Sequence, residues 1–174
     1  MRIIAGKHKG KVLSQFQGKA IRPTPDRVKE SLFQILSEKV KGARVLDLFA
    51  GSGALGIECL SRGAGEVIFI DAASESVALT QKNLALTGEV AKVFRLDFRT
   101  LLCRVDGKFD LIFCDPPYKE EYLKEILDTV KERELLTEGG LVIYESERDE
   151  SGAEGWTLFD KRRYGRVKIT MWQL

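Results

Sequence analysis

The sequence predicts an α/β domain in which a mostly parallel sheet carries helices on both faces. A small basic arm precedes the sheet and an antiparallel hairpin closes it. Three observations carry that expectation. From residue 44 onward short apolar runs alternate with helical stretches, a glycine-rich loop separates the first run from the helix after it, and basic residues crowd the first 44 positions. A chain of 174 residues makes one domain and buries roughly 70% of its unfolded surface on folding.

The elements follow in order. Arg2 to Leu13 holds Gly-Lys-His-Lys-Gly-Lys between short apolar pieces, which predicts a hairpin. Arg22-Pro23-Thr24-Pro25-Asp26 reads as a helix start: Thr24 caps, Pro25 suits the first helical position and Asp26 favours the positive end of the helix dipole. Val28, Leu32, Ile35, Leu36 and Val40 then recur at helical spacing, so the helix runs to about Lys39. Buried strands are expected at residues 44–50, 67–70, 91–96, 109–114 and 141–144. Tyr122, Leu123, Ile126, Leu127 and Val130 share one face of an intervening helix. The tail reads as a hairpin of residues 157–161 and 166–172 around Arg163-Tyr164-Gly165. With no internal repeat or linker, the expected division is an arm of residues 1–43 packed on a core of residues 44–174.

Composition excludes several classes. At 44% hydrophobic and 31% charged residues, the chain is neither disordered, collagen-like nor mucin-like. No apolar stretch approaches the ~18–20 residues of a membrane span, and Met1 to His8 lacks the long apolar segment of a secretory signal. Cys59, Cys103 and Cys114 are an odd count without CxxC spacing, as expected of reduced thiols in a cytoplasmic protein. Together with a single His they do not make a zinc site, and no metal is expected.

Net charge is +2, but it is unevenly placed. Residues 1–44 hold 11 Lys and Arg against 3 Asp and Glu, whereas residues 45–174 hold 17 against 23. A basic arm on a mildly acidic body suits contact with a polyanion. Lys7, Lys9, Lys11, Lys19, Arg22, Thr24 and Arg27 are the candidate nucleic-acid contacts.

The loop Asp47-Leu48-Phe49-Ala50-Gly51-Ser52-Gly53-Ala54-Leu55-Gly56 follows the first strand, at the end of a parallel sheet where ligands bind. Gly51, Gly53 and Gly56 match a dinucleotide fingerprint, and Asp71 lies 20 residues beyond Gly51, where an acid grips ribose hydroxyls. That pattern leaves NAD and S-adenosylmethionine as competing ligands. Two carboxylates favour the second. Asp47, on the strand before the loop, suits a cationic amino-acid moiety and repels a diphosphate. Asp97, at the end of the third strand, is placed for an adenine amino group, with Phe98 beside it.

Asp115-Pro116-Pro117-Tyr118 ends the fourth strand. Two consecutive prolines fix the backbone and remove its donors, so a carboxylate, a carbonyl and an aromatic ring are held rigidly. Such a corner suits methyl transfer to an amino group on an aromatic base. The base stacks on Tyr118 while its N–H bonds point at the Asp115 carboxylate and the Pro116 carbonyl. Catalysis then rests on orientation and electrostatic complementarity without a covalent intermediate.

These two motifs together resemble the S-adenosylmethionine-dependent amino methyltransferases of Rossmann-like fold. The whole chain further resembles the RsmD family, which methylates guanine N2 in bacterial 16S ribosomal RNA. Arg2-Ile3-Ile4-Ala5-Gly6, Arg22-Pro23-Thr24 through Leu36, and Val45 through Glu58 each fit its pattern. One departure is Asp71, a position at which glutamate is the commoner residue in the family. The resemblance implies a seven-stranded methyltransferase sheet, with Asp47, Phe49, Gly51, Gly53, Asp71, Asp97 and Phe98 around the cofactor and Asp115 to Tyr118 at the reacting base. It also implies a target presented on partly or fully assembled small ribosomal subunits.

RNA is favoured over DNA on separate grounds. Duplex DNA methyltransferases need additional structure to read a groove and extrude a base, and nothing outside these motifs is long enough to supply it. A small basic arm suits a target recognised by shape, with an exposed base on an aromatic ring. The alternatives are adenine-N6 methylation, an NAD-dependent oxidoreductase and a non-catalytic RNA-binding module.

Overall fold

The computed structural model describes residues 1–16, 26–117 and 120–174. In chain order α1 (Asp26–Val40) leads to β1 (Arg44–Asp47), α2 (Ala54–Ser61), β2 (Glu66–Asp71), α3 (Ser74–Thr87) and β3 (Lys92–Arg95). These are followed by α4 (Phe98–Arg104), β4 (Phe109–Cys114), α5 (Leu123–Glu132), β5 (Leu136–Ser146), β6 (Thr157–Tyr164) and β7 (Val167–Gln173). Among the described residues the seven strands form one sheet in the order β3-β2-β1-β4-β5-β7-β6. The first five neighbours pair in parallel, while β7 runs antiparallel to both β5 and β6.

The central parallel strands β2, β1 and β4 are mostly apolar because both of their faces are covered. β3, expected from the sequence as a buried strand, is instead the exposed edge of the sheet, with only Val93 partly buried. Val45, Val67, Phe69, Leu111, Phe113, Leu141 and Ile143 point to one side, against Leu32, Phe33 and Leu36 of α1 and Ile57 of α2. The intervening residues Leu46, Ile68, Ile70, Ile112 and Val142 point to the other, against Leu101 of α4 and Ile126, Leu127 and Val130 of α5. The two-residue side-chain period of a strand thus fills two cores from one run of sequence.

Three strand limits differ from expectation by three residues or more, one being β6, which runs to Tyr164 rather than ending at residue 161. β1 ends at Asp47 rather than Ala50, although Leu48 N–H still donates to the Phe113 carbonyl and Ala50 N–H to the Ile70 carbonyl. The chain leaves regular pairing there to enter the glycine turn. β5 starts at Leu136, before the expected residue 141, and its register against β4 shifts between Phe109 and Leu111. The Gly139-Gly140 pair that accommodates the shift is a poor strand former and hides this start.

The arm forms the expected hairpin, in which Arg2 bridges Val12 and Ile3 N–H donates to the Lys11 carbonyl at 2.9 Å. Ile3 and Leu13 enter the same apolar cluster as α1 and the sheet. A buried carboxylate fixes this docking. Glu58 on α2 accepts from the N–H groups of Ile4 (2.8 Å) and Ala5 (3.0 Å), and it pairs with Lys29 (3.2 Å) and Arg62 (2.8 Å). Neither Glu58 nor Lys29 has exposed side-chain surface, so the charges must satisfy one another. Thr24, the expected cap of α1, lies outside the described residues.

Candidate active site

Asp47, the last residue of β1, is in register with Phe69 of β2 and with Phe113 of β4. The loop after β1 and the corner after β4 therefore emerge side by side at the carboxyl edge of the sheet. Asp115 lies two residues beyond Phe113, next to the glycine turn.

The turn is built on two left-handed glycines, Gly51 (φ 55°) and Gly53 (φ 78°), a region in which a side chain is strained. Their surroundings differ. A Cβ on Gly53 would lie 3.0 Å from Thr80 and 3.2 Å from Ile57, so the side-chain position of this residue faces packed protein. A Cβ on Gly51 would meet only the Phe16 ring, at 4.0 Å, so the open side of the loop is at Gly51. Asp71 accepts from Gly51 N–H and Ala73 N–H, each at 2.9 Å, and stays half-buried at the rim. Thr80 donates its hydroxyl to the Gly51 carbonyl at 3.1 Å, and Asn83 donates to the Ser52 carbonyl at 2.8 Å.

Asp47 lies beneath the loop, only 2% exposed. It accepts from Gly56 N–H at 3.2 Å and from Phe49 N–H. Burial pushes its carboxyl up to about 7, with the Asp71 charge adding to the rise and the two amide donors opposing it.

Asp97 caps α4 by accepting from Arg99 N–H at 2.9 Å, and its side chain is half-exposed. Phe98, by contrast, is buried. Its ring meets those of Phe49 (5.2 Å between centroids) and Tyr122 (4.9 Å), while Phe49 and Tyr122 stack at 6.2 Å. The Arg99 guanidinium covers Phe98 and Tyr122 and is held by both oxygens of Glu125. Tyr122 N–H donates to the Tyr144 hydroxyl at 3.3 Å, which ties the start of α5 to β5.

In the corner itself Asp115 is half-buried, Pro116 buried and Pro117 exposed; Tyr118 lies outside the described residues. Asp115 shares a small cavity with Glu145 of β5, among Leu32, Leu55, Phe113 and Ile169. Burial, and then the Glu145 and Asp47 charges, raise the Asp115 carboxyl well above the usual carboxylate range.

The sequence does not mark Glu145, Thr80 or Asn83 for the site, and Tyr122 is expected only as one residue of a helix face. Glu145 carried a signal, because it closes an otherwise apolar strand. Thr80 and Asn83 stand three residues apart on one face of α3, yet nothing local says that this face meets a loop 30 residues away.

Of the candidate arm contacts, Lys7, Lys9, Lys11 and Arg27 are exposed, and Lys19 and Arg22 lie outside the described residues with Thr24. Lys7 N–H donates to the carbonyl of Ser61, the last residue of α2, whereas the glycine loop precedes its first residue. The hairpin tip and the crevice are thus separated by the length of α2, about 12 Å.

A mostly parallel sheet in this order, closed by an antiparallel hairpin and with a glycine loop and a rigid acidic corner side by side at its carboxyl edge, defines a methyltransferase of Rossmann-like fold. More narrowly, the chain belongs to the family described as Conserved hypothetical protein 95, the RsmD family, which matches residues 1–173. Ribosomal RNA small subunit methyltransferase D of Haemophilus influenzae is 33% identical, with 99% of this chain and 93% of that protein aligned. The protein of the same name from Escherichia coli K12 is 32% identical over 99% of this chain and 89% of its own length. Among solved structures, yhhF from Escherichia coli superposes with a TM-score of 0.89 at 33% identity, covering 99% of this chain and 97% of that one.

Proposed function

We propose that this chain transfers a methyl group from S-adenosylmethionine to the exocyclic N2 amino group of a guanine in 16S ribosomal RNA, in the cytoplasm, on a partly or fully assembled small subunit. The observation that carries the reading is the pairing of Asp47 with Phe113, which sets the open glycine turn beside the Asp115-Pro116-Pro117 corner. The names of the Haemophilus and Escherichia relatives support the ribosomal substrate.

The residues present fit the cofactor. The open side of Gly51 admits a ligand against the backbone. Asp71 already accepts two amide bonds but keeps further lone pairs for ribose hydroxyls. Asp97 has half its side chain exposed for an adenine amino group, with Phe49 and the buried Phe98 forming the apolar floor beside it. Gly53 sets the turn, and Asp47, through its charge under the loop, favours the cationic end of the ligand.

S-adenosylmethionine supplies an electrophilic methyl group on a sulfonium that leaves as a neutral thioether. Asp115 and the Pro116 carbonyl accept the two N–H bonds of the target amino group and turn its lone pair outward. Tyr118 stacks on the base. Asp115 then takes the proton that the nitrogen gives up on gaining its new bond to carbon. Holding the nitrogen in line and meeting its developing charge supply the acceleration. Lys7, Lys9, Lys11, Lys19, Arg22, Thr24 and Arg27 hold the RNA, so residues 1–43 act as a substrate arm on a core of residues 44–174.

The test offers labelled S-adenosylmethionine with small ribosomal subunits, naked ribosomal RNA and duplex DNA in parallel, followed by nucleoside analysis. N2-methylguanosine formed on the subunits is expected. Asp115→Ala should abolish turnover while S-adenosylhomocysteine affinity stays within about twofold. N6-methyladenosine, or transfer to DNA alone, would overturn the reading.

A further inference from the structure

Asn83 is completely buried on α3 and touches both the arm and the cofactor loop. Its Oδ1 accepts from Ser14 N–H at 2.8 Å, and its Nδ2 donates to the Ser14 carbonyl at 3.0 Å, so the carboxamide pairs with the arm much as a neighbouring strand would. The same Nδ2 donates to the Ser52 carbonyl at 2.8 Å, inside the glycine turn. One turn of helix earlier, Thr80 holds the adjacent Gly51 carbonyl. Two residues after Ser14, the Phe16 ring is the nearest group to the open side of Gly51.

Both donors and the acceptor of one buried carboxamide are thus committed to two segments far apart in sequence. Movement of either segment leaves a polar atom of the fully buried Asn83 side chain without its partner, which is unfavourable, so the segments keep or lose their positions together. Glu58 cannot supply this connection, since its backbone bonds reach Ile4 and Ala5, at the far end of α2 from the loop.

We propose that Asn83 is a positioning residue that couples the arm to the cofactor loop, so that RNA held by the arm and S-adenosylmethionine in the crevice tighten one another's binding. The inference rests on the function proposed above. The ordering of residues 14–16 and of the turn is shared by both ligands, and thermodynamic linkage makes the effect equal in both directions.

The experiment titrates S-adenosylhomocysteine calorimetrically into the full chain, alone and with saturating small ribosomal subunits. Roughly fivefold or greater tightening by the subunits is expected for the native protein, at the lower end of usual coupling. In Asn83→Ala that ratio should fall below about twofold. Thr80→Val, which breaks the loop bond without touching the arm, should weaken the ligand but preserve the ratio. A purely structural role would lower affinity in both variants alike and spare the ratio in both.

Should Asn83→Ala fail to fold, hydrogen exchange at the Ser14 amide of the native chain decides, with a several-fold slowing on addition of S-adenosylhomocysteine expected. An unchanged exchange rate, or a ratio in Asn83→Ala equal to the native one, overturns the inference while the methyltransferase reading stands. A native chain that binds neither ligand overturns the reading itself, and the inference with it.

Discussion

Asp115 and Glu145 directly follow the paired residues Cys114 of β4 and Tyr144 of β5, and both carboxylates line one small, largely apolar cavity. Glu145 is 5% exposed, and its charge adds to the desolvation that already raises the Asp115 carboxyl. Asp115 must be ionised to accept the N–H bonds and proton of an amino group. Methyl transfer should therefore fall as the pH drops through the raised value. In Glu145→Gln the repulsion is gone, Asp115 holds its proton less tightly, and the acid limb of kcat should move to lower pH. A profile of kcat against pH for both proteins checks this. An unmoved limb would show that Glu145 does not set the ionisation of Asp115.

Asp47 makes a separate prediction about stability. Its folded value of about 7 lies above the ordinary 3.8, so between those pH values the folded chain binds more protons than the unfolded one. Stability contributed by this group is present below about pH 4, is lost as the pH rises, and stays lost above about 7. Asp47→Asn keeps an oxygen for the Gly56 and Phe49 amides but removes the buried charge. The ligand-free variant should be more stable than the native protein at pH 8, by up to about 4 kcal/mol, with little difference at pH 4. Urea unfolding at the two pH values measures it. The same variant should bind S-adenosylhomocysteine more weakly, which separates a functional charge from a structural one.

Two glycines of one motif should fail in opposite ways. A Cβ at Gly56 would stand 2.2 Å from the Phe69 ring and 2.9 Å from Val67, in the packed seam between α2 and β2. Gly56→Ala should lower stability by about 1–3 kcal/mol or more. Gly51 has room for the atom and only its positive φ to object, a strain of about 1–2 kcal/mol. Gly51→Ala should fold and yet lose ligand affinity. Melting temperature and calorimetry on the two variants distinguish the roles; equal ligand affinity in Gly51→Ala and the native chain would remove the crevice from the open side of the turn.

Much of this arrangement was legible in the sequence because it rests on local rules. Apolar runs buried on both faces mark parallel strands, and Gly51, Gly53 and the two prolines mark turns that no strand or helix tolerates. What escaped depends on contacts between distant segments. The β5 start is masked by Gly139 and Gly140, and the role of Glu58 needs Ile4 and Ala5, more than 50 residues away. The glycine pattern marks Gly53, but only the packing of Thr80 and Ile57 shows that its missing side chain makes room for protein. The sequence places Phe98 beside Asp97 as an apolar contact, but its burial depends on Phe49 and Tyr122, which arrive from other loops.

The arm offers a last test, since its lysines are not equivalent. Lys7 is paired with Glu89 at 2.7 Å, and the same carboxylate oxygen lies 2.5 Å from His8. Among the described residues Lys9 has no carboxylate within ion-pair distance, and Lys11 reaches only the Leu86 carbonyl, at 3.3 Å. A phosphate must displace Glu89 to use Lys7, whereas Lys9 and Lys11 meet it directly. In the logarithmic salt dependence of RNA binding, Lys9→Ala and Lys11→Ala together should reduce the slope by up to ~0.7–0.9 per lost contact, and Lys7→Ala by less. Glu89→Gln should strengthen binding by releasing Lys7. Because the hairpin tip stands the length of α2 from the reacting corner, all four substitutions should act on KM with kcat nearly unchanged. A fall in kcat would place the tip closer to the chemistry than its docking on Ser61 allows.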